Sequence, residues 1–133
     1  MPPEARSWGT PEEWLRRAKS NLAKAKQRKP KEVYWEDLCF DAEQAAEKAI
    51  KAVFIHQRAH FPYVHDLKRL LKLLKRAGVK IPKYVSAAAE LSPFAFETRY
   101  PGRCPPVKLR QYRRAVRIAT AVVNWGDRQI GKP

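Results

Sequence analysis

The chain has 133 residues and a mass of 15.4 kDa, enough for one hydrophobic core and little more. Hydrophobic residues make up 44% of it and charged residues 31%, a balance that excludes a disordered tail or an acidic solvating segment. Lys and Arg number 28 against 13 Asp and Glu, and the net charge of +15 points to polyanions or to an acidic partner.

Five helical segments and no strand can be read along the chain, which predicts an all-α, up-and-down bundle of four to five helices. Thr10 reads as an N-cap, with Pro11 in the first turn and Glu13 three residues on. The stripe Trp14, Leu15, Ala18, Leu22, Ala25 follows, and Pro30 closes the segment. A second helix is expected over residues 35–57, with Ala at 42, 45, 46, 49 and 52 beside Leu38, Ile50 and Val53. Apolar groups, Phe40 and Phe54 among them, cover most of its circumference and leave one strip of Gln44, Glu47, Lys48 and Lys51. A helix of that kind is central or lies at a subunit interface, so Phe40 and Phe54 are the candidate dimer contacts and a homodimer is expected. The strip reads either as a solvated edge in which Glu47 pairs with Lys51, or as the polar lining of a dimer groove. The third helix opens near Asp66, places Leu67, Leu70, Leu71 and Leu74 on one side, and stops at Gly78. A short fourth spans residues 82–91 before Ser92-Pro93 interrupts it, and the last spans 106–125. Residues 1–133 thus read as a single domain with an ordered core over about 10–128.

Charge is distributed unevenly. Residues 35–55 carry five acids against two bases, whereas residues 64–83 carry seven bases against one acid, and residues 99–133 nine against one. An acidic element inside a basic chain should be packed or partner-facing. Lys68, Lys72 and Lys75 oppose the leucine stripe of the third helix, and Arg110, Arg113, Arg114 and Arg117 form a similar face on the last. Such faces are commonly just solvated, but two of them could follow a phosphate backbone without base stacking. Cys39 and Cys104 stand far apart and only three His are present, so no metal, cofactor or disulfide framework is expected. No apolar run reaches membrane-spanning length, and Met1-Pro2-Pro3-Glu4 does not open a secretion signal, so a cytoplasmic protein is expected.

Residues Cys39 to Ala52, CFDAEQAAEKAIKA, resemble the signature helix of HEPN domains (higher eukaryotes and prokaryotes nucleotide-binding). His65-Asp66-Leu67 resembles the family's H-D-L opening of the next helix, and Arg99-Tyr100-Pro101 its R-Y-P element, in matching order. The resemblance implies a helical bundle, commonly dimeric, often encoded beside a minimal nucleotidyltransferase in toxin and antitoxin pairs. Some members are metal-independent RNases carrying an Arg, four to six residues and a His near the start of the last long helix. Here no His follows Arg99; Arg58 and His65 meet the spacing but lie before the third helix, with Phe61-Pro62 between them. A nucleotide- or RNA-interacting subunit, partner to a minimal nucleotidyltransferase, is therefore expected ahead of an RNase toxin or a plain polyanion-binding protein.

For the phosphate of such a ligand the candidates are Lys48, Lys51, His65 and Arg99, supported by Gln44, Glu47, Asp66 and Tyr100, and no catalytic residue is assigned. A helix N-terminus beside His65 and the forked guanidinium of Arg99 both suit phosphate. The opposing reading makes His65 a local cap and pairs Arg99 with an acid such as Glu97, with Tyr100 packed on the bundle.

Overall fold

In the computed structural model, residues 9–61 and 63–131 are described, and every regular element among them is helical. The elements are α1 (Pro11–Ala25), α2 (Trp35–His56), α3 (Leu67–Arg76), α4 (Lys83–Ser86), two 3-10 segments (Ala87–Ala95 and Glu97–Arg99) and α5 (Leu109–Ile130). Residues 1–8, on which the absence of a secretion signal was read, and Pro62 lie outside the described residues.

The capping signals act as their chemistry requires. Thr10 Oγ1 accepts the Glu13 amide at 3.1 Å and Pro11 enters the first turn of α1, whereas the helix closes at Lys26, ahead of Pro30. Asp66 Oδ1 accepts the Lys68 amide at 3.1 Å, so Asp66 and not His65 caps α3. Gly78, at φ +99°, takes the left-handed turn that ends α3.

α1 packs along α2, and α5 lies against both. Tyr112 Oη donates to the Ala25 carbonyl at 2.6 Å and Lys19 meets Asp127 at 3.3 Å, which sets α5 antiparallel to α1. Gly126 sits against Ala49: a Cβ there would come within 3.3 Å of both the Ala49 methyl and its carbonyl oxygen. The alanine ladder of α2 is thus the surface on which α5 makes its close approach.

Three expectations need correction. The helical path does not stop at Ser92-Pro93 but continues as a 3-10 helix to Ala95. Tighter i to i+3 bonding avoids the contact a proline ring makes with an α-helical carbonyl, and Ser92 Oγ accepts the Leu67 amide at 3.2 Å. The last helix begins at Leu109, since Glu36 takes the Val107 amide at 3.1 Å and Gln111 takes that of Lys108 at 2.8 Å, and it runs past Trp125 to Ile130. The apolar circumference of α2 is consumed within the chain by α1, α5 and the first 3-10 segment. Phe54, 1% exposed, is therefore core and not a dimer contact.

Candidate functional site

The polar strip of α2 is not a solvated edge. Glu43, Glu47 and Lys51 are all buried, and with Gln44 and Lys48 they face α1 and the segment leading to α3. Lys51 Nζ bonds Glu47 Oε2 at 3.0 Å and stands 5.1 Å from the Phe61 ring centre and 5.9 Å from that of Trp14. A buried ammonium needs such compensation, and here a carboxylate and two aromatic rings supply it. His65 Nδ1 lies 3.1 and 3.2 Å from the two oxygens of Glu47, although the imidazole is 73% exposed. Glu47 therefore joins a buried lysine to a surface histidine.

Glu43 is the acid that sequence reasoning passed over. Gln44 donates to its Oε1 at 2.8 Å, while Oε2 is buried with no hydrogen-bond donor. Burial, reinforced by the neighbouring Glu47 carboxylate, pushes Glu43 up to about 8. Burial thus shifts Glu43 toward its protonated form at neutral pH. Its signal in the sequence was the like-charge i, i+4 pair with Glu47. Next to it, Lys48 donates to Asn21 Oδ1 at 2.6 Å, and Asn21 donates to Asp41 at 3.1 Å, stitching α2 to α1. Partial burial, then repulsion from Arg17, lowers Lys48.

Arg99 is elsewhere. Its guanidinium lies over the Phe40 ring, 4.1 Å from the centroid, and donates weakly to the Ala95 carbonyl at 3.5 Å. Phe40 and Lys51 are three turns apart, about 16 Å along the α2 axis. The expected convergence of Lys51, His65 and Arg99 on one phosphate is thus replaced by two separate places, with Lys51 neutralised internally and Arg99 stacked on an aromatic face and not paired with Glu97.

Around Arg99 the segments 29–37 and 98–106 enclose a cavity of about 530 Å³. Lys29, Lys31 and Arg99 bring positive charge to it, Glu36 and Asp37 negative charge, and Tyr34, Trp35 and Tyr100 aromatic surface. Tyr34 and Tyr100 are exposed; Tyr100 packs against Phe96 with ring centres 4.8 Å apart and the rings tilted at 47°, and Arg103 stands 6.0 Å from Phe96. Exposed aromatic groups gather on the connecting segments. Of the seven cations singled out on the basic faces of α3 and α5, only Arg114 is ion-paired among the described residues, to Glu90 at 2.7 Å.

A family model described as HEPN domain matches residues 11–129. The chain belongs to the HEPN domain family. Its bundle is similar to two solved structures. One is TT1696 from Thermus thermophilus, 27% identical, with a TM-score of 0.77 over 90% of this chain and 97% of that one. The other is ST0689, an archaeal HEPN homologue, 26% identical, with a TM-score of 0.72 over 92% and 98%. No functionally curated protein matches the sequence.

Within this HEPN bundle Cys39 is fully buried, and burial followed by the nearby Glu36 charge pushes its thiol up to about 12, which makes it inert. Among the described residues no three His, Cys, Asp or Glu side chains gather to hold a metal, and no helix is long and apolar enough to cross a membrane. Asn21, Phe61 and Tyr34, not singled out in the sequence, lie outside the HEPN signature helix; Trp14, read there as part of the α1 stripe, also lies outside it, and Trp35 opens it. Only tertiary packing brings the first four to it.

Proposed function

We propose that this HEPN protein is a nucleotide- or RNA-interacting subunit without nuclease activity of its own, acting as partner of a minimal nucleotidyltransferase. The observation that carries the reading is the outward display of exposed cations on α3 and α5, all but Arg114 without an ion pair among the described residues, in a chain with net charge +15, while Lys51 is neutralised inside. Cations in that disposition attract a phosphate backbone, and the absence of any His after Arg99 removes the family's nuclease pair from its usual place. The nucleotidyltransferase partnership and the homodimer are what membership of the family implies.

One geometry favours the RNase alternative. His65 is held through Nδ1 by Glu47, the arrangement of an oriented general base, and is exposed to solvent. The test is to incubate the purified protein with mixed RNA in chelator. No cleavage above background is expected, and a stable complex should form on co-expression with a minimal nucleotidyltransferase. Cleavage that is abolished by His65→Ala in a folded variant would establish the RNase instead, and binding that shows only steep salt dependence without partner capture would leave a plain polyanion binder.

A further inference from the structure

We infer that the cavity between residues 29–37 and 98–106 binds a single unstacked nucleotide, its base lying on the exposed tyrosine rings and its phosphate on the lysines. The inference deepens the proposed function and rests on it only for the source of that nucleotide.

Two independent features lead there. At about 530 Å³ the cavity lies within the range of small-ligand sites, roughly 300–1,000 Å³. Its walls combine flat aromatic surface with both signs of charge. Trp35 is fixed from behind, its ring 4.5 Å from Tyr112 with Lys29 Nζ 5.2 Å above it, whereas Tyr34 and Tyr100 are exposed by 68% and 50%. Rings left in water at a cavity mouth, next to Lys31 and Arg99, form the stacking platform by which unpaired bases are held.

The charges narrow the ligand. A bare polyanion would meet Asp37 and Glu36 as well as Lys29, Lys31 and Arg99, and the two carboxylates would offset much of the attraction of the three cations. A nucleotide separates the two demands: its phosphate faces Lys29, Lys31 and Arg99, and the N–H groups of its base and hydroxyls of its sugar face the carboxylates, which can only accept. Inorganic phosphate, by this reasoning, is a poor ligand. The ligand chemistry is that of one nucleotide unit, whether free or at an unpaired position of single-stranded RNA.

Cys104 lines the same cavity and is half-buried, while Cys39 is sealed in the core, so alkylation by N-ethylmaleimide reports on this place alone. The rate of Cys104 modification is to be measured by mass spectrometry with adenosine or guanosine 5′-monophosphate, a single-stranded RNA 12-mer, the corresponding duplex, and inorganic phosphate. Isothermal titration of the same ligands gives a second readout should the thiol react slowly. Saturating nucleotide should slow modification at least fivefold, and Tyr34→Ala and Tyr100→Ala should each raise the half-protecting concentration by roughly 5- to 150-fold, the span covered by stacking one base. Single-stranded RNA protecting at lower concentration than the mononucleotide identifies RNA as the source; equal or better protection by the mononucleotide identifies the free nucleotide. Protection by inorganic phosphate equal to that by nucleotide, or no protection and no heat from any ligand, overturns the inference. RNA binding that is lost in Lys72→Glu or Arg113→Glu while Cys104 stays fully reactive also overturns it, yet leaves the proposed function standing. Metal-free RNA cleavage with Cys104 protected does the reverse.

Discussion

Replacing Glu43 by Gln tests the buried acid directly, because the amide keeps the shape of the protonated carboxyl and cannot ionise. In the folded protein the group lies near pH 8, against an ordinary value near 4.5. Between those two values the folded state holds a proton that the unfolded chain has released, so stability falls as pH rises. The contribution is complete below the unfolded value and is lost once pH passes the folded one. A gap of about three to four pKa units corresponds to roughly 3–6 kcal/mol at about 1.4 kcal/mol per unit, allowing a unit either way. Urea unfolding of both proteins at pH 5, 7 and 9 and constant ionic strength measures it. The two should be close in stability at pH 5, with Glu43→Gln the more stable by a growing margin toward pH 9. A difference that does not change with pH would show that Glu43 is not the neutral member of the Glu43 and Glu47 pair.

Glu47→Gln leaves Lys51 buried without its counter-charge and should cost roughly 3–5 kcal/mol in urea unfolding; adding Lys51→Met should restore most of the loss, and a loss under about 1 kcal/mol would mean water already reaches the lysine. Gly126→Val pushes two methyl groups at the Ala49 backbone and should cost about 1–3 kcal/mol, read as a lowered Tm; an unchanged Tm would show that α2 and α5 are free to separate. Phe54→Ala empties a fully packed site and should cost roughly 3–5 kcal/mol, whereas Phe40→Ala, half-buried under Arg99, should cost less, with equal losses counting against the assignment of Phe54 to the core. Light scattering at micromolar concentration should give twice the 15.4 kDa of one chain, and a monomer there would remove the expected homodimer.

Periodicity made the long helices readable because each buries a continuous stripe, and the caps at Thr10 and Asp66 and the glycine at 78 marked where three of their ends fall. It misled at α2. An apolar circumference is equally what a helix needs at a subunit interface or at the centre of its own bundle, and sequence spacing carries no information on which neighbour covers it. The same ambiguity hid the meaning of the polar strip. Glu47 and Lys51 were recognisable as a pair, but their burial depends on Trp14 and Phe61, which reach them from two other segments. Arg99 was recognisable as a displayed cation, yet a guanidinium can serve a carboxylate, a phosphate or an aromatic face, and the choice of Phe40 follows from how the 3-10 segments lay the loop across α2. Tyr34 and Tyr100 lie 66 positions apart, and no local pattern announces that they share a cavity.

The 3-10 path through Pro93 sets an order of opening for the molecule. Nine residues at a rise of about 2.0 Å each reach roughly 18 Å, some 4 Å farther than the same residues wound as an α-helix. That reach lets one short segment touch α2, α3 and α5 at once, but its hydrogen bonds are poorly aligned, and it buries few side chains besides Ala88 and Leu91. Amide exchange should therefore be fast along residues 87–100 while α2 and α5 exchange only on global unfolding. A protease should nick this stretch before any helix. If exchange bears this out, the loop that carries Arg99 and Tyr100 rides on the part of the bundle that opens before the core, where its rings can adjust to an incoming ligand without disturbing α2 and α5.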